Sequence, residues 1–210
     1  MRPLPRVLAF TDDRIAALED WGIRAAGIAA AGPAVGLVAR MPAGSIERLA
    51  AFAQRCVALA RPPEAAVFVS GRMDVARAVG ANGVVLRAAD LGIGDARALH
   101  HRWILRSVHS ASEAEVAITE GVDAVIVGSI WVSASHPGSE GAGLGVLEQV
   151  AALGVPTYAI GGVTAERAAS ARAAGAWGVA AITALWDAVD PYAATCAMLA
   201  PWQRELQGAA

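Results

Sequence analysis

Apolar positions along this chain fall into short unbroken runs, separated by stretches where they recur three and four residues apart. Unbroken runs suit strands buried on both faces, and the longer spacing suits helices with one apolar face. The runs predict strands at Arg6–Phe10, Ala34–Ala39, Ala66–Ser70, Gly83–Leu86, Trp103–Arg106, Asp123–Gly128, Pro156–Ile160 and Trp177–Ile182. The stretches between and after them predict helices at Arg14–Ala29, Ser45–Ala60, Met73–Val79, Ile93–His101, Ala111–Glu120, Leu144–Leu153, Ala165–Ala173 and Pro191–Leu206. This alternation within 210 residues predicts an α/β fold, a compact (β/α)8 TIM barrel forming a single domain over residues 1–210.

The punctuation agrees. Gly80, Gly121, Gly154 and Gly175 each close a helix and precede a strand, where a left-handed C′ glycine belongs. The turn Glu120–Ala124 resembles Ala174–Gly178, a helix-to-strand connection used twice. One long loop, Ile130–Gly143, is rich in Ser, Gly and Pro. It follows strand six on the face where such barrels carry their chemistry, and long loops there often act as lids.

Composition narrows the class. The chain is 56% hydrophobic and 17% charged, which supplies a large core and argues against disorder. A formal net charge of −2 with scattered basic residues gives no footprint for nucleic acid or an anionic membrane. No apolar run approaches the roughly 18 residues of a membrane span. The opening Met1–Pro5 is too short and too proline-broken for a signal peptide, so a cytoplasmic location is expected. Cys56 and Cys196 lack metal-type spacing and lie in helical patterns, so both read as buried thiols. A homodimer is the ordinary expectation for such a barrel.

Functional side chains of this fold sit at the C-terminal ends of strands. Those ends supply Thr11, Asp12 and Asp13; Arg40; Ser70, Gly71 and Arg72; Arg87 and Asp90; Ser107 and His109; and Ser129, Ser133, Ser135 and His136. After strand seven comes Gly161-Gly162-Val163-Thr164, a turn that brings backbone N–H groups close to a ligand with no Cβ in the way. Backbone donors at Gly161, Gly162, Ala181 and Ile182, after strands seven and eight, predict a phosphate site that needs no side-chain charge. A small phosphorylated molecule is therefore the expected ligand. Several candidates also have plain structural readings. Asp12 and Asp13 suit helix N-caps. Arg72 suits a local pair with Asp74, and Arg87 a surface ion pair. Trp103, Trp131, Trp177 and Trp186 suit packing, although Trp131 at the mouth of the long loop is also placed to stack on a ring.

Phe10–Asp13 and the Ala159–Thr164 turn resemble the matching segments of thiamin phosphate synthases. Ser70–Ala76 and Arg106–Ser110, followed by Glu113-Ala114, resemble more closely the TenI branch of that superfamily. The likeness runs through most of the chain and is weakest before residue 60. The TenI resemblance implies a thiazole tautomerase, an isomerase that moves a proton to aromatise a carboxylated thiazole phosphate. It implies that His109 is the acid/base, since imidazole titrates near neutral pH, with Ser107 or Arg40 orienting it or the substrate carboxylate. Thr11, Ser70, Arg72, Arg87, Ser133, Ser135 and His136 are further substrate-binding candidates. No cofactor is implied. The alternative structural reading of His109 is a hydrogen-bonded core residue at a strand end.

A second reading is thiamin phosphate synthase itself, which joins a pyrimidine diphosphate to a thiazole phosphate. Its resemblance implies Mg2+ held by two aspartates. Asp90 matches one, but the Asn-Asp pair that carries the other is Ser70-Gly71 here. The family's Gln and Arg on strand two are Gly36 and Val38, its lysine there is Arg40, and its loop lysine is His136. A third reading is a non-catalytic protein that binds a phosphorylated ligand. The losses in the diphosphate set rank the tautomerase first on sequence.

Overall fold

A computed structural model describes residues 4–60, 65–99, 102–132 and 140–208. Eight parallel strands close into a barrel in sequence order: β1 Val7–Phe10, β2 Val35–Ala39, β3 Ala66–Ser70, β4 Gly83–Leu86, β5 Trp103–Val108, β6 Ala124–Val127, β7 Thr157–Ile160 and β8 Gly178–Ala181. β1 pairs with both β2 and β8, which closes the ring and leaves no free edge.

Both faces of the strands are buried, as the continuous apolar runs predict. One face of each strand looks into the barrel. There Leu8, Phe68, Leu105 and Tyr158 come from the odd strands, and Val38, Val85, Ile126 and Ala180 from the even ones. This is the layered filling of a (β/α)8 core. It needs small residues beside the large ones. A Cβ on Gly83 would lie 2.7 Å from the Phe68 ring, and one on Gly178 would lie 2.7 Å from the Tyr158 ring. The other face packs on the helices, bringing Val7, Leu37, Ile104 and Val179 into one cluster with Trp21, Phe52, Leu147 and Leu185.

The helices are α1 Asp13–Ala16, α2 Trp21–Ala29, α3 Ile46–Ala60, α4 Met73–Ala78, α5 Ile93–Leu99, α6 Ala111–Thr119, α7 Gly143–Ala151, α8 Ala165–Ala173, α9 Thr183–Trp186, α10 Pro191–Leu199 and α11 Gln203–Gly208. Three depart from expectation. The first predicted helix is broken at residues 17–20 into α1 and α2. Ile15 and Trp21 are both buried, yet on one continuous helix they would lie roughly 120° apart around the axis at about 100° per residue. The break lets both face the core, where Trp21 meets Phe52 with ring centroids 4.9 Å apart. The last predicted helix is interrupted by a 3-10 turn, Ala200–Trp202, because Pro201 lacks an N–H for the ladder. Helix α9 was not expected at all.

The four helix-closing glycines take φ between 69° and 89°. The two similar turns use the same bonds. Gly121 and Val122 donate to Ile118 and Ala117, and Gly175 and Ala176 donate to Arg172 and Ala171. Cys56 is buried in α3, but Cys196 in α10 is only half-buried, which corrects the expectation of two buried thiols. None of the described helices is long and apolar enough to cross a membrane.

Candidate active site at the strand ends

Period-two alternation carries the interior face of each strand up to the barrel mouth. Two positions beyond Val38 is Arg40, beyond Phe68 is Ser70, beyond Val85 is Arg87, and beyond Leu105 is Ser107. Arg40, Ser70 and Arg87 accordingly meet, with Gly71 and Arg72, around one cavity of about 170 Å³ above β2–β4.

Each of these residues is held in a different way. Thr11 is buried, and its hydroxyl donates to the Arg40 carbonyl at 2.9 Å and accepts from the Arg40 N–H at 2.9 Å. Thr11 therefore fixes the Arg40 backbone, a job its hydroxyl fulfils through the β1–β2 contact. Asp12 caps α1 by accepting from the Ile15 N–H, and Asp13 accepts from the Ala43 N–H, joining the loops after β1 and β2. Arg87 and Asp90 form a tight local pair. Both Asp90 oxygens accept from the Arg87 guanidinium, at 2.9 and 3.1 Å, and one also accepts from the Arg87 backbone N–H at 2.7 Å. The Asp90 side chain is 7% exposed and that of Arg87 61%, so the carboxylate is enclosed and the guanidinium faces the mouth. The hydrogen bond to Asp90 raises the Arg87 pKa. Arg72 pairs with Asp74 in solvent, and this hydrogen bond holds the Asp74 carboxyl below its usual range.

Across the barrel, Gly161 and Gly162 take φ of 95° and 64°, which an L side chain rarely adopts. Space is equally restrictive. A Cβ on Gly161 would lie 2.5 Å from the Ser129 Cβ, and one on Gly162 would lie 2.4 Å from the Val132 carbonyl. The turn lies against the segment after β6, where Ile130 and Trp131 donate to the carbonyls of Ile160 and Gly161. Arg167 holds the Gly162 carbonyl, and its guanidinium lies 5.5 Å from the Trp131 ring centroid. Thr164 caps α8 by accepting from the Arg167 N–H. Next to this turn, β8 ends at Ala181 and α9 starts at Thr183 with Ile182 as its N-cap. No side chain caps α9.

His109 is not among the residues lining the cavity over β2–β4. β5 runs two residues further than expected, so Ser107 lies within the strand and His109 just beyond its end. The His109 side chain is 69% exposed and its Nδ1 lies 3.3 Å from Glu113. The Glu113 carboxylate also accepts from the His109 backbone N–H, and Ser110 caps α6 by accepting from the Glu113 N–H. Ser133, Ser135 and His136 lie outside the described residues.

The thiamine monophosphate synthase model matches residues 9–185. The chain belongs to the thiamine monophosphate synthase family. It is 41% identical over 138 residues to the thiamine-phosphate synthase of Mycolicibacterium gilvum, covering 64% of this chain and 58% of that protein. It is 37% identical over 150 residues to the Thermus thermophilus thiamine-phosphate synthase, covering 70% and 73%. The thiamine phosphate pyrophosphorylase structure from Pyrococcus furiosus superimposes with a TM-score of 0.81 at 27% identity, covering 96% of both chains.

These relatives overturn the expectation that the chain stands closest to TenI, and with it the tautomerase and isomerase reading. The segments that suggested TenI have local structural work. Arg72 and Asp74 pair at the start of α4, and Ser110 with Glu113 forms the N-terminal cap of α6. Such strand-to-helix turns recur wherever a barrel must start a helix, so their likeness reports shared architecture. The acid/base role of His109 was implied by that resemblance, and the structure gives its ring Glu113 as a partner at 3.3 Å.

The magnesium that the synthase resemblance implies finds a poor seat. Mg2+ requires near-octahedral oxygen coordination, commonly with one or two carboxylates. Among the described residues no group of three His, Cys, Asp or Glu is placed to hold a metal. Both oxygens of the one matching carboxylate, Asp90, are taken by Arg87. The residues present do not fit the ion.

Two features of this rim were not legible in the sequence, and a third was legible only in part. The uncapped α9 hides in an apolar Thr-Ala-Leu-Trp stretch, and Arg167 looks like an ordinary helix-surface cation. The ion pair expected of Arg87 is present, and its partner Asp90 was signalled only by the i,i+3 spacing.

Proposed function

We propose that this protein catalyses the thiamine-phosphate synthase reaction, joining a pyrimidinylmethyl diphosphate to a thiazole phosphate. In that reaction the thiazole nitrogen lone pair forms a bond to the pyrimidine methylene carbon. The carbon–oxygen bond to the diphosphate breaks, and its electron pair leaves with pyrophosphate. The observation that carries the reading is the pairing of two anion seats on one rim, in a chain of this family. Arg40, Arg72 and Arg87 surround the cavity over β2–β4. The Gly161-Gly162 turn and the uncapped start of α9 lie over β7 and β8. Two separate seats suit a reaction between two phosphorylated molecules.

In this reading the thiazole phosphate lies on the backbone N–H groups of Gly161, Gly162, Ala181 and Ile182. The diphosphate lies on the arginine side. Ser70 lines the arginine-side cavity, and Trp131 stands beside the thiazole end as a stacking surface. Catalysis then rests on bringing two rings together and stabilising the charge that develops on the leaving diphosphate. The test is to incubate the purified chain with both substrates and with each alone, following thiamine phosphate by mass spectrometry. The product is expected only when both are present. Its absence under every condition, with and without Mg2+, would overturn the proposal.

A further inference from the structure

The cavity above β2–β4 has an unusual charge arrangement for a site that the family equips for a metal. Three guanidinium groups, from Arg40, Arg72 and Arg87, line it. Two carboxylates, Asp74 and Asp90, offset them, and both are already paired within the cluster. Among the described residues the Arg40 side chain has no ion-pair or hydrogen-bond partner.

The position of Gly71 shows how the cluster is built. Its φ is 75°, and a Cβ there would lie 3.3 Å from both Arg87 Nη2 and Asp90 Oδ2. A side chain at residue 71 would press on the Arg87 guanidinium and the Asp90 carboxylate. The two arrangements compete for the same space: two carboxylates gathering a cation, or one carboxylate gathering an arginine. This chain has the second. Asp90 then acts as a positioning residue that aims Arg87 at the mouth. A guanidinium has five N–H donors, and Asp90 engages two of its nitrogens, so donors remain for a ligand. Arg72 is bound only to exposed Asp74, and solvent-exposed pairs of this kind are weak, so it is free to exchange partners. Guanidinium groups suit phosphoryl oxygens because they pair with them two bonds at a time.

We propose that Arg40, Arg72 and Arg87 bind a diphosphate group directly and without a divalent metal, the Arg87 guanidinium standing in the space of the cation. The proposal rests on the synthase reading for the identity of the diphosphate but concerns a different property, metal independence.

Isothermal titration calorimetry of the full chain with inorganic pyrophosphate, in EDTA and in excess Mg2+, tests it. Binding in EDTA is expected, weakened about tenfold or more in Arg87→Gln and in Arg40→Gln. Because Arg87→Gln leaves an enclosed carboxylate without its partner, Arg40→Gln and the double change Arg87→Gln with Asp90→Asn keep the test valid if the single variant unfolds. Binding that requires Mg2+, or binding indifferent to all three variants, or no binding in either buffer, would overturn the proposal. The synthase assay separates the two readings. Thiamine phosphate formed only with Mg2+ removes this inference and leaves the synthase standing. Pyrophosphate bound in EDTA by a protein that forms no thiamine phosphate supports the arginine seat and removes the synthase.

Discussion

Side chains at the barrel mouth divide into those that face the cavity and those that hold the ones that do. Arg40 and Arg87 face it, while Thr11 and Asp90 hold them through hydrogen bonds of 2.7–3.1 Å. Sequence alone names all four, because strand ends are countable. It does not assign their jobs, because a buried threonine hydroxyl and a free one read the same. Gly162 offers the sharpest test at this scale. Its φ of 64° and the Val132 carbonyl 2.4 Å from a would-be Cβ leave no room for a side chain. Gly162→Asp also adds a charge that repels phosphate. Steady-state kinetics should show the KM for the thiazole phosphate raised roughly tenfold or more, given about 1.5–3 kcal/mol for a charge-assisted contact. An unchanged KM would contradict the phosphate seat. Cys56 makes a second, independent prediction. Burial pushes its thiol up to about 12, so at pH 8 it is almost wholly protonated, and the thiolate is the reactive form. Mass spectrometry after alkylation of the folded protein at pH 8 should find Cys56 unmodified. A Cys56 adduct under those conditions would contradict the packing of α3.

At the scale of elements, the pattern of apolar runs locates every strand, and most differ by only a residue or two at their ends. Burial on both faces makes those runs continuous, which is why they stand out. The helices are less legible. The break between α1 and α2 follows from the need to bury both Ile15 and Trp21, a tertiary demand that local periodicity does not encode. Pro201 did signal the end of α10, yet the apolar pattern through Leu206 masks it. Helix α9 is one turn long, below the length at which any period is visible. Barrel filling gives the prediction for this scale. A Cβ on Gly83 would lie 2.5 Å from the Trp103 carbonyl and 2.7 Å from Phe68. Gly83→Ala should therefore destabilise the fold by about 1–3 kcal/mol through overpacking. Urea denaturation would show this as a lower midpoint, and an unchanged midpoint would contradict the tight interior layer.

Across the whole molecule, the barrel brings residues from distant parts of the chain onto one rim and leaves the opposite end for stability. At that opposite end Tyr158 and Trp177 both donate to the Pro5 carbonyl, and the Arg6 guanidinium lies 3.5 Å from the Trp177 ring centroid. Arg6 and Arg172 both reach Glu205, which ties α11 to the barrel floor. The family was legible from the sequence, because the Gly-Gly turn and the opening Thr-Asp stand in register. The branch was not. The lost carboxylate at residue 71 looks like a degraded synthase until the structure shows the Arg87–Asp90 pair packed against that position. The most direct measurement of the central claim is a joint assay of thiamine phosphate and pyrophosphate with both substrates present, run in EDTA and again in Mg2+. The account predicts the two products in equal amounts in both buffers. Neither product in either buffer, or pyrophosphate released without thiamine phosphate, would contradict it.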